Sequence, residues 1–447
     1  MTISVMVFTR DLRLTDNPAL TAAARAEAVV PLFVWDQQIL GPAGANATRL
    51  GFLLDSLRDL DAGLREAGAA LVSRTGPWAK TVIETARSAG AARIHLAADV
   101  SGYAAARLKS LRRAAEGTGI AVTCHPGATA VEPAAVRGPG GAYQVFTPYY
   151  RRWLAARWRR VLPAPARITL AEGITPGRLP RLGDLSGAPR AADVLPGGES
   201  AGQARLAAWS AGYLAGYERR YDDLAADATS RLSAYLHFGC VSPLALAAEM
   251  RARPGGAAFV RQVAWRDFFC QLLASRPDAA QRDYRDRGDD WREDPDALAA
   301  WKEGRTGYPV VDAGLRQLAR EGFMHNRARM LVASFLTKDL YIDWRAGAAH
   351  FMRHLVDADV ACNQLNWQWV AGTGTDTNRH RVFNPTLQGR RFDPAGEYIR
   401  RYLPELAGLP SAVVHDPDPA TRRRRDYPEP IVDHREAIAA YRAGRRA

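Results

Sequence analysis

Ser4–Trp35 reads SVMVFTRDLRLTDNPALTAAARAEAVVPLFVW, a short apolar run, a polar stretch and a second apolar run. The two runs, SVMVF (Ser4–Phe8) and AVVPLFVW (Ala28–Trp35), have the length and composition of buried strands. Three more follow: AALVSR (Ala69–Arg74), RIHLAA (Arg93–Ala98) and IAVTCH (Ile120–His125). Between them, LGFLLDSLRDLDAGLREAG and AKTVIETARSAG repeat apolar residues at three- and four-residue intervals, the helical period. Five strands with intervening helices predict an α/β domain, a doubly wound parallel five-stranded sheet covered on both faces. No GxGxxG follows the first strand, so the usual dinucleotide fingerprint of a nicotinamide enzyme is missing.

Outward from this region the pattern changes twice. From Thr129 to about residue 199, Pro and Gly cluster in GPGGAYQVFTPYY, LPAPARIT and VLPGGES, around a basic aromatic helix TPYYRRWLAARWRR. From about residue 200 to the end the periodicity is almost wholly helical, with no internal repeat. The division expected is an α/β domain at 1–128, a linker at 129–199 and an all-helical domain at 200–447. A chain of 447 residues exceeds what one core usually serves, which agrees with two or three domains. With 47% hydrophobic residues it is not a disordered or fibrous chain. No apolar run is long enough to cross a bilayer, and the N-terminus enters a strand without a signal-peptide layout, so a cytoplasmic protein is expected.

The formal net charge is +13, from 60 Lys+Arg against 47 Asp+Glu, and only Lys80, Lys109, Lys302 and Lys338 are lysines. Arginine makes bidentate phosphate contacts and stacks on flat rings, which suits nucleic acid or a nucleotide cofactor. GC-rich coding accounts equally well for the Arg:Lys ratio, though not for the positive excess. The run Arg422–Arg425 reads as a solvated loop. Cys124, Cys240, Cys270 and Cys362 are scattered, with no CxxC pair and no metal-ligand spacing, so they read as small buried side chains and no metal is expected.

Chemistry-bearing residues concentrate in the helical part, which holds six of the eleven tryptophans between Trp265 and Trp369. DATSRLSAYLHFGCVSP (Asp227–Pro243), RQVAWRDFF (Arg261–Phe269), TGYPVVD, MHNRARM, DADVACNQLNWQW and RVFNP occur in that order. On these motifs the chain resembles the photolyase/cryptochrome flavoproteins over its whole length, and among them the bacterial class I cyclobutane pyrimidine dimer (CPD) photolyases. The resemblance implies FAD as cofactor, UV-damaged DNA as partner, a monomer, and light-dependent repair of pyrimidine dimers by electron transfer from excited reduced FAD.

By residue type alone, Thr229 and Ser230 ahead of an amphipathic helix are an N-cap signature. The resemblance instead implies that Thr229, Ser230, Arg231, Leu232 and Ser233 contact the FAD pyrophosphate, with Tyr217 over the same cofactor. Asp357 and Asp359 lack the supporting ligands a metal site needs and would otherwise be a helix-end ion cluster. The resemblance pairs Arg329 with Asp357 beside the isoalloxazine, places Asp359 close to its polar edge and has Asn363 face N5, with Arg266 and Asn326 also cofactor-facing. An uncharged amide near the flavin accommodates an anionic reduced ring better than a carboxylate would. Trp291, Trp344 and Trp367 match the electron-transfer series, although three tryptophans in a helical domain are more often core. Gln262, Trp265, Arg266, Asn326, Arg327, Met330, Trp369 and Gln388 match the DNA- and lesion-binding set, because enzymes that act on bases extrude them from the duplex.

Two residues depart from the pattern. Gln262 stands where many CPD photolyases have Glu and where many (6-4) photolyases and cryptochromes have Gln; Tyr221 replaces an Arg that some members place against DNA. The (6-4) alternative needs a histidine general acid, and Asn326 and Met330 occupy the places of its histidines. The alternative of a blue-light photoreceptor lacks the usual long tail after DYPEPIVDHREA. For a second, antenna chromophore, SGYAAARLKS has no counterpart of the folate-binding Asn-Glu pair, so an 8-hydroxy-deazaflavin is favoured over methenyltetrahydrofolate, near Trp35–Asp36 and Arg49–Leu50.

Overall fold

The computed structural model describes residues 2–36, 40, 46–138, 140–378 and 380–444. Contacts divide the chain into two compact units. The first comprises residues 1–190, 195–215 and 230–277, and the second residues 191–194, 216–229 and 278–447. These units cut the chain differently from its composition, because the helices between residues 230 and 277 group with the N-terminal region.

In the first unit β1 (Ile3–Val7), β2 (Ala28–Trp35), β3 (Val72–Thr75), β4 (Arg93–Ala97) and β5 (Ala121–His125) form one sheet in the order β3-β2-β1-β4-β5. Every pairing is parallel. The doubly wound α/β sheet expected from the strand runs is therefore present, with its topological switch between β1 and β4. All eight residues of β2 are buried, which is why that strand reads as an unbroken apolar run. Pro31 is tolerated there because its nitrogen, which cannot donate, faces the β3 side, between a single bridge to Leu170 and the start of β3 at Val72. One expectation is corrected: β5 is a half-exposed edge strand, since only β4 pairs with it. The intervening helices are α1 (Pro18–Ala23), α2 (Ala47–Glu66), α3 (Trp78–Ser88) and α4 (Gly102–Ala115). Asn46 starts α2 by accepting from the N–H groups of Thr48 and Arg49.

The basic aromatic helix of the linker is shorter than its pattern, α5 (Phe146–Ala155). Its continuation leaves the helix so that Arg159 can pair with buried Asp16. Asp267, on α6 (Gly256–Ser275), ties this segment down: its Oδ2 accepts from the backbone N–H of Ala130 (2.9 Å) and Val131 (3.1 Å) and from the Trp153 indole (3.0 Å). Burial pushes the Asp267 carboxyl up to about 6 against these bonds and the neighbouring Arg266.

Among its described residues the second unit has helices joined by turns and irregular segments, and no strand. Its core gathers Trp301, Trp344, Trp367, Phe335, Phe351 and Tyr398, with Trp291 and Trp369 packed on it. The elements carrying these rings include α7 (Pro309–Glu321), α8 (Asn326–Ser334), a π-helical turn (Phe335–Asp339), α9 (Trp344–His354) and α10 (Val360–Ala371). Arg422–Arg425 is not a loop: Pro419–Arg424 form α11, and Arg422 is buried, donating to the carbonyls of Pro417, Gly307 and Pro428. The cysteine expectation is also half corrected, since Cys240 and Cys270 are buried whereas Cys124 and Cys362 are partly exposed. Among the described residues no helix is long and apolar enough to cross a membrane.

This core has a titratable member. His350 on α9 packs its ring edge-on against Trp301 (5.4 Å) and beside His354 (4.2 Å). Burial, reinforced by His354, Lys302 and Arg353, lowers its pKa to about 3. The unfolded chain binds the proton near pH 6.5, so the stability is complete above that pH and is lost as pH falls toward 3. Between pH 7 and pH 5 His350 is expected to cost about 2 kcal/mol. Melting curves at the two pH values should therefore lie closer together for His350→Phe than for the parent.

Candidate active site

The second unit carries a polar cluster at the start of α10. Asp357 accepts from Arg329 Nη2 through both carboxylate oxygens, at 2.9 and 3.3 Å. Arg329 Nε is held by the Met324 carbonyl at 2.8 Å, which fixes the guanidinium plane. Asp359 is the N-cap of α10, accepting from Cys362 N–H at 2.9 Å, so it does locally what a helix-end carboxylate does. Asn363, one turn on, is buried and donates both amide hydrogens, to the Ala348 carbonyl (3.1 Å) and Gln364 Oε1 (3.0 Å). Its capacity left for a ligand is an acceptor. A guanidinium from α8, with carboxylates and an amide oxygen at the start of α10, fits the donor and acceptor pattern of an isoalloxazine edge.

The same helix continues into Trp367 and Trp369. Trp367 is buried, edge-on to Phe351 (5.0 Å) and Trp301 (6.1 Å). It lies hard against α9: a Cβ at Gly347, one turn after Trp344, would meet the Trp367 ring at 2.2 Å. Trp344 is fully buried, and its indole N–H donates to Asp283 at 2.8 Å. Trp291 is only partly buried. Two of the three rings are therefore buried and the third reaches partial exposure. Sequence reading passed over Gln364 and Gln368, which anchor the segment carrying Asp283. Gln368 accepts from Tyr284 N–H (2.6 Å) and donates to Ala279 O (2.7 Å), while Gln364 donates to Ala280 O (2.9 Å). Only their place in the NQLNWQW motif hinted at them.

The arginines expected to meet DNA are engaged within their own units. Arg327 makes a two-point pair with Asp222 (3.2 and 2.6 Å) and lies over Phe392. Arg266, in the first unit, donates to the Ala128 carbonyl at 2.6 Å and sits beside Asp267. Neither is a bare charge; sequence showed the cations and not their partners. Asn326 is the exposed first residue of α8, capped by His325, whose Nδ1 accepts from Arg327 N–H at 3.1 Å. Met330 on the same helix is partly buried. Gln388 lies partly exposed on the helix Pro385–Phe392, and Trp369 has Arg381 over its ring.

On α6 of the first unit, Gln262 and Trp265 are one turn apart and partly exposed. Trp265 is stacked face to face on Phe146 (3.7 Å, 4°), and Arg261 lies over Phe146 in turn. Phe146 was visible only as part of the QVFTPYY aromatic cluster. The cap that Thr229 and Ser230 suggest by residue type alone is not formed. The helix begins at Ser233 behind Leu232, which makes no side-chain cap, and Arg231 takes φ +54°. Ser230 accepts from Arg205 through its carbonyl instead. Tyr217 is buried against Tyr221 in the second unit, and Thr229 is the last residue of the stretch 216–229 that belongs to the same unit.

Residues 4–167 match the family described as DNA photolyase, and residues 259–446 the FAD binding domain of DNA photolyase. The chain belongs to the photolyase/cryptochrome family. A deoxyribodipyrimidine photo-lyase of Streptomyces griseus is 50% identical over 100% of this photolyase-family chain and 99% of its own length. The crystal structure of a bacterial class III photolyase from Agrobacterium tumefaciens is similar at TM-score 0.91 and 33% identity, covering 100% of this chain and 98% of that one. A Synechocystis cryptochrome reaches the same TM-score at 28% identity, with 99% of each chain covered. The FAD-binding family match covers the Arg329–Asp357 pair, Asp359, Asn363 and all the tryptophans of the series.

A cavity of about 490 Å³ in the first unit is lined by Trp35, Thr75, Arg178, Arg181, Asp184 and Leu185, among others. Of the antenna residues expected there, Trp35 lines it. Asp36 instead accepts from the Tyr103 hydroxyl (2.5 Å), and Arg49 and Leu50 lie in the first turns of α2.

Proposed function

We propose that this protein repairs cyclobutane pyrimidine dimers in DNA under blue light, as a deoxyribodipyrimidine photo-lyase. The observation that carries the reading is the cluster Arg329–Asp357, Asp359 and Asn363 on the helix that continues into Trp367 and Trp369. FAD, held in reduced form, would supply under light the electron that opens the cyclobutane ring and would receive it back. Tyr217, Thr229, Asn326, Arg329, Asp357, Asp359 and Asn363 of the second unit are the residues we assign to holding it. In the first unit we assign Ser230–Ser233 and Arg266 to the cofactor and Gln262 and Trp265 to the lesion; in the second, Arg327, Met330, Trp369 and Gln388 to DNA.

The residues have distinct tasks. Arg329, neutralised by Asp357, sets a fixed positive edge without leaving an unpaired buried charge. Asn363 offers an acceptor with no charge of its own, so it does not oppose an anionic ring. Trp367, Trp344 and Trp291 pass an oxidising equivalent from core to surface. The Asp283 carboxylate at the Trp344 N–H favours positive charge on that ring while it passes. Gln262 donates to a base carbonyl without adding charge. Asn326 and Met330 provide no histidine acid, which favours CPD over (6-4) chemistry. A photoreceptor role is the second reading, favoured by the similarity to a cryptochrome and by Gln262. The cavity at Trp35 joins an aromatic wall to two guanidinium groups, which suits a flat anionic chromophore, and we assign it to an 8-hydroxy-deazaflavin in preference to methenyltetrahydrofolate.

Separate oligonucleotides containing one CPD or one (6-4) product, illuminated with photoreduced protein, test the assignment. Light-dependent loss of the CPD alone is expected. An intact CPD after illumination would overturn it.

A further inference from the structure

Trp265 is partly exposed on α6, and an indole at a helix surface is by itself a poor platform for a ligand. It turns about two side-chain bonds, and ordering it when a ligand arrives costs free energy. Here the orientation is set beforehand. Phe146, the first residue of α5, lies directly over one face of the indole, with centroids 3.7 Å apart and planes 4° apart. Aromatic pairs otherwise prefer offset or edge-to-face arrangements, so this close parallel stack is imposed by the two helices. Phe268 stands edge-on to both rings, 5.5 Å and 89° from Trp265 and 5.7 Å and 88° from Phe146.

Phe146 is itself held in place. It is buried, and Tyr150, one turn further along α5, stacks beside it at 5.5 Å and 14°. Trp153 follows Tyr150 at 6.2 Å and 24°, and its indole N–H donates to Asp267 Oδ2 at 3.0 Å. Asp267 lies two residues after Trp265 on α6, so the column of rings begins and ends on the same helix. Arg261, one turn before Trp265, is exposed and lies over Phe146 and Tyr150 at 5.0 and 5.3 Å. Its guanidinium braces the column through the ring faces.

We propose that Phe146 is a positioning residue for damaged DNA. It blocks one face of Trp265 and locks the plane of the other, on which a flipped pyrimidine ring stacks. The inference rests on the reading of Trp265 as a lesion residue and adds what makes that ring rigid. A fixed indole face recognises a flat π surface and not particular base atoms. It therefore adds affinity for a pyrimidine already out of the helix and none for one that stays in the duplex. The effect of the column is discrimination between damaged and undamaged DNA.

Fluorescence anisotropy of labelled duplexes with and without a CPD, titrated with the flavin-loaded protein at one fixed salt concentration, provides the test. Phe146→Leu should weaken binding to the CPD duplex about tenfold, the worth of one aromatic pair and one immobilised side chain. Its affinity for the undamaged duplex should match the parent. Trp265→Ala should cost at least as much, and in that background Phe146→Leu should cost nothing further, because it acts through the indole. If Phe146→Leu does not fold, Phe146→Met, an unbranched side chain that adapts to the same space, is titrated in its place. Parental affinity for the CPD duplex in the folded Phe146 variant overturns the proposal alone. So does an equal loss on both duplexes, or a full further loss in the Trp265→Ala background. Parental affinity in Trp265→Ala removes that ring from the lesion and the proposal with it.

Discussion

Trp367→Phe is expected to abolish light-driven reduction of the bound flavin by an external donor. Trp367 is the ring of the series on the same helix as Asn363, and it is buried, so no solvent-borne reductant replaces it. Phenylalanine fills most of the space between Phe351, Trp301 and the Gly347 backbone but is far harder to oxidise than indole. Reduction with dithionite should bypass the block, so that the chemically reduced variant splits dimers while the illuminated oxidised variant does not. Absorbance of the flavin under steady blue light, with and without Trp344→Phe as a parallel case, provides the measurement. Unchanged photoreduction in Trp367→Phe would remove this ring from the pathway.

The second large effect is expected at Asp357. Its removal as Asp357→Ala leaves Arg329 with its Met324 contact but without the carboxylate that neutralises it. Removing one partner of a buried pair typically costs about 3–5 kcal/mol; with Arg329 partly exposed and screened, a smaller loss of about 2–3 kcal/mol is expected. For a unit of this size that lowers the melting temperature by about 4–12 °C. Flavin should also be lost on desalting, visible as loss of the yellow colour. Asp357→Asn, which keeps an acceptor for the guanidinium, should fall between the parent and Asp357→Ala in both measurements.

The buried parts of the fold were legible because burial leaves a mark on sequence. β1, β2 and β4 are covered on both faces and read as apolar runs, and α2 and α3 carry the helical period. β5 has similar residues but lies at an edge, and a run of six residues does not record how many neighbours a strand has. Charged residues were harder for a related reason: an arginine looks the same whether it meets water, phosphate or a carbonyl. Arg422 stands in a run of four and is buried, whereas Arg266 and Arg327 were placed toward DNA and are engaged by Ala128 and Asp222. The Arg329–Asp357 pair came from the resemblance, since 28 residues separate its members and no local pattern joins them. Asp283 and Gln368 went unread because their roles depend on packing partners distant in the chain.

Gly347 carries a consequence for how this chain can vary. The missing side chain there is the space in which the Trp367 ring lies, so one position holds an atom's absence and the other fills it. Mutational drift at the two sites is therefore coupled. A lineage that acquires even a methyl group at 347 has to reduce the ring at 367 or spread two helices that also hold Trp344 and Asn363. In a library randomised at both positions and selected for survival after ultraviolet exposure and blue light, glycine at 347 should co-segregate with tryptophan at 367.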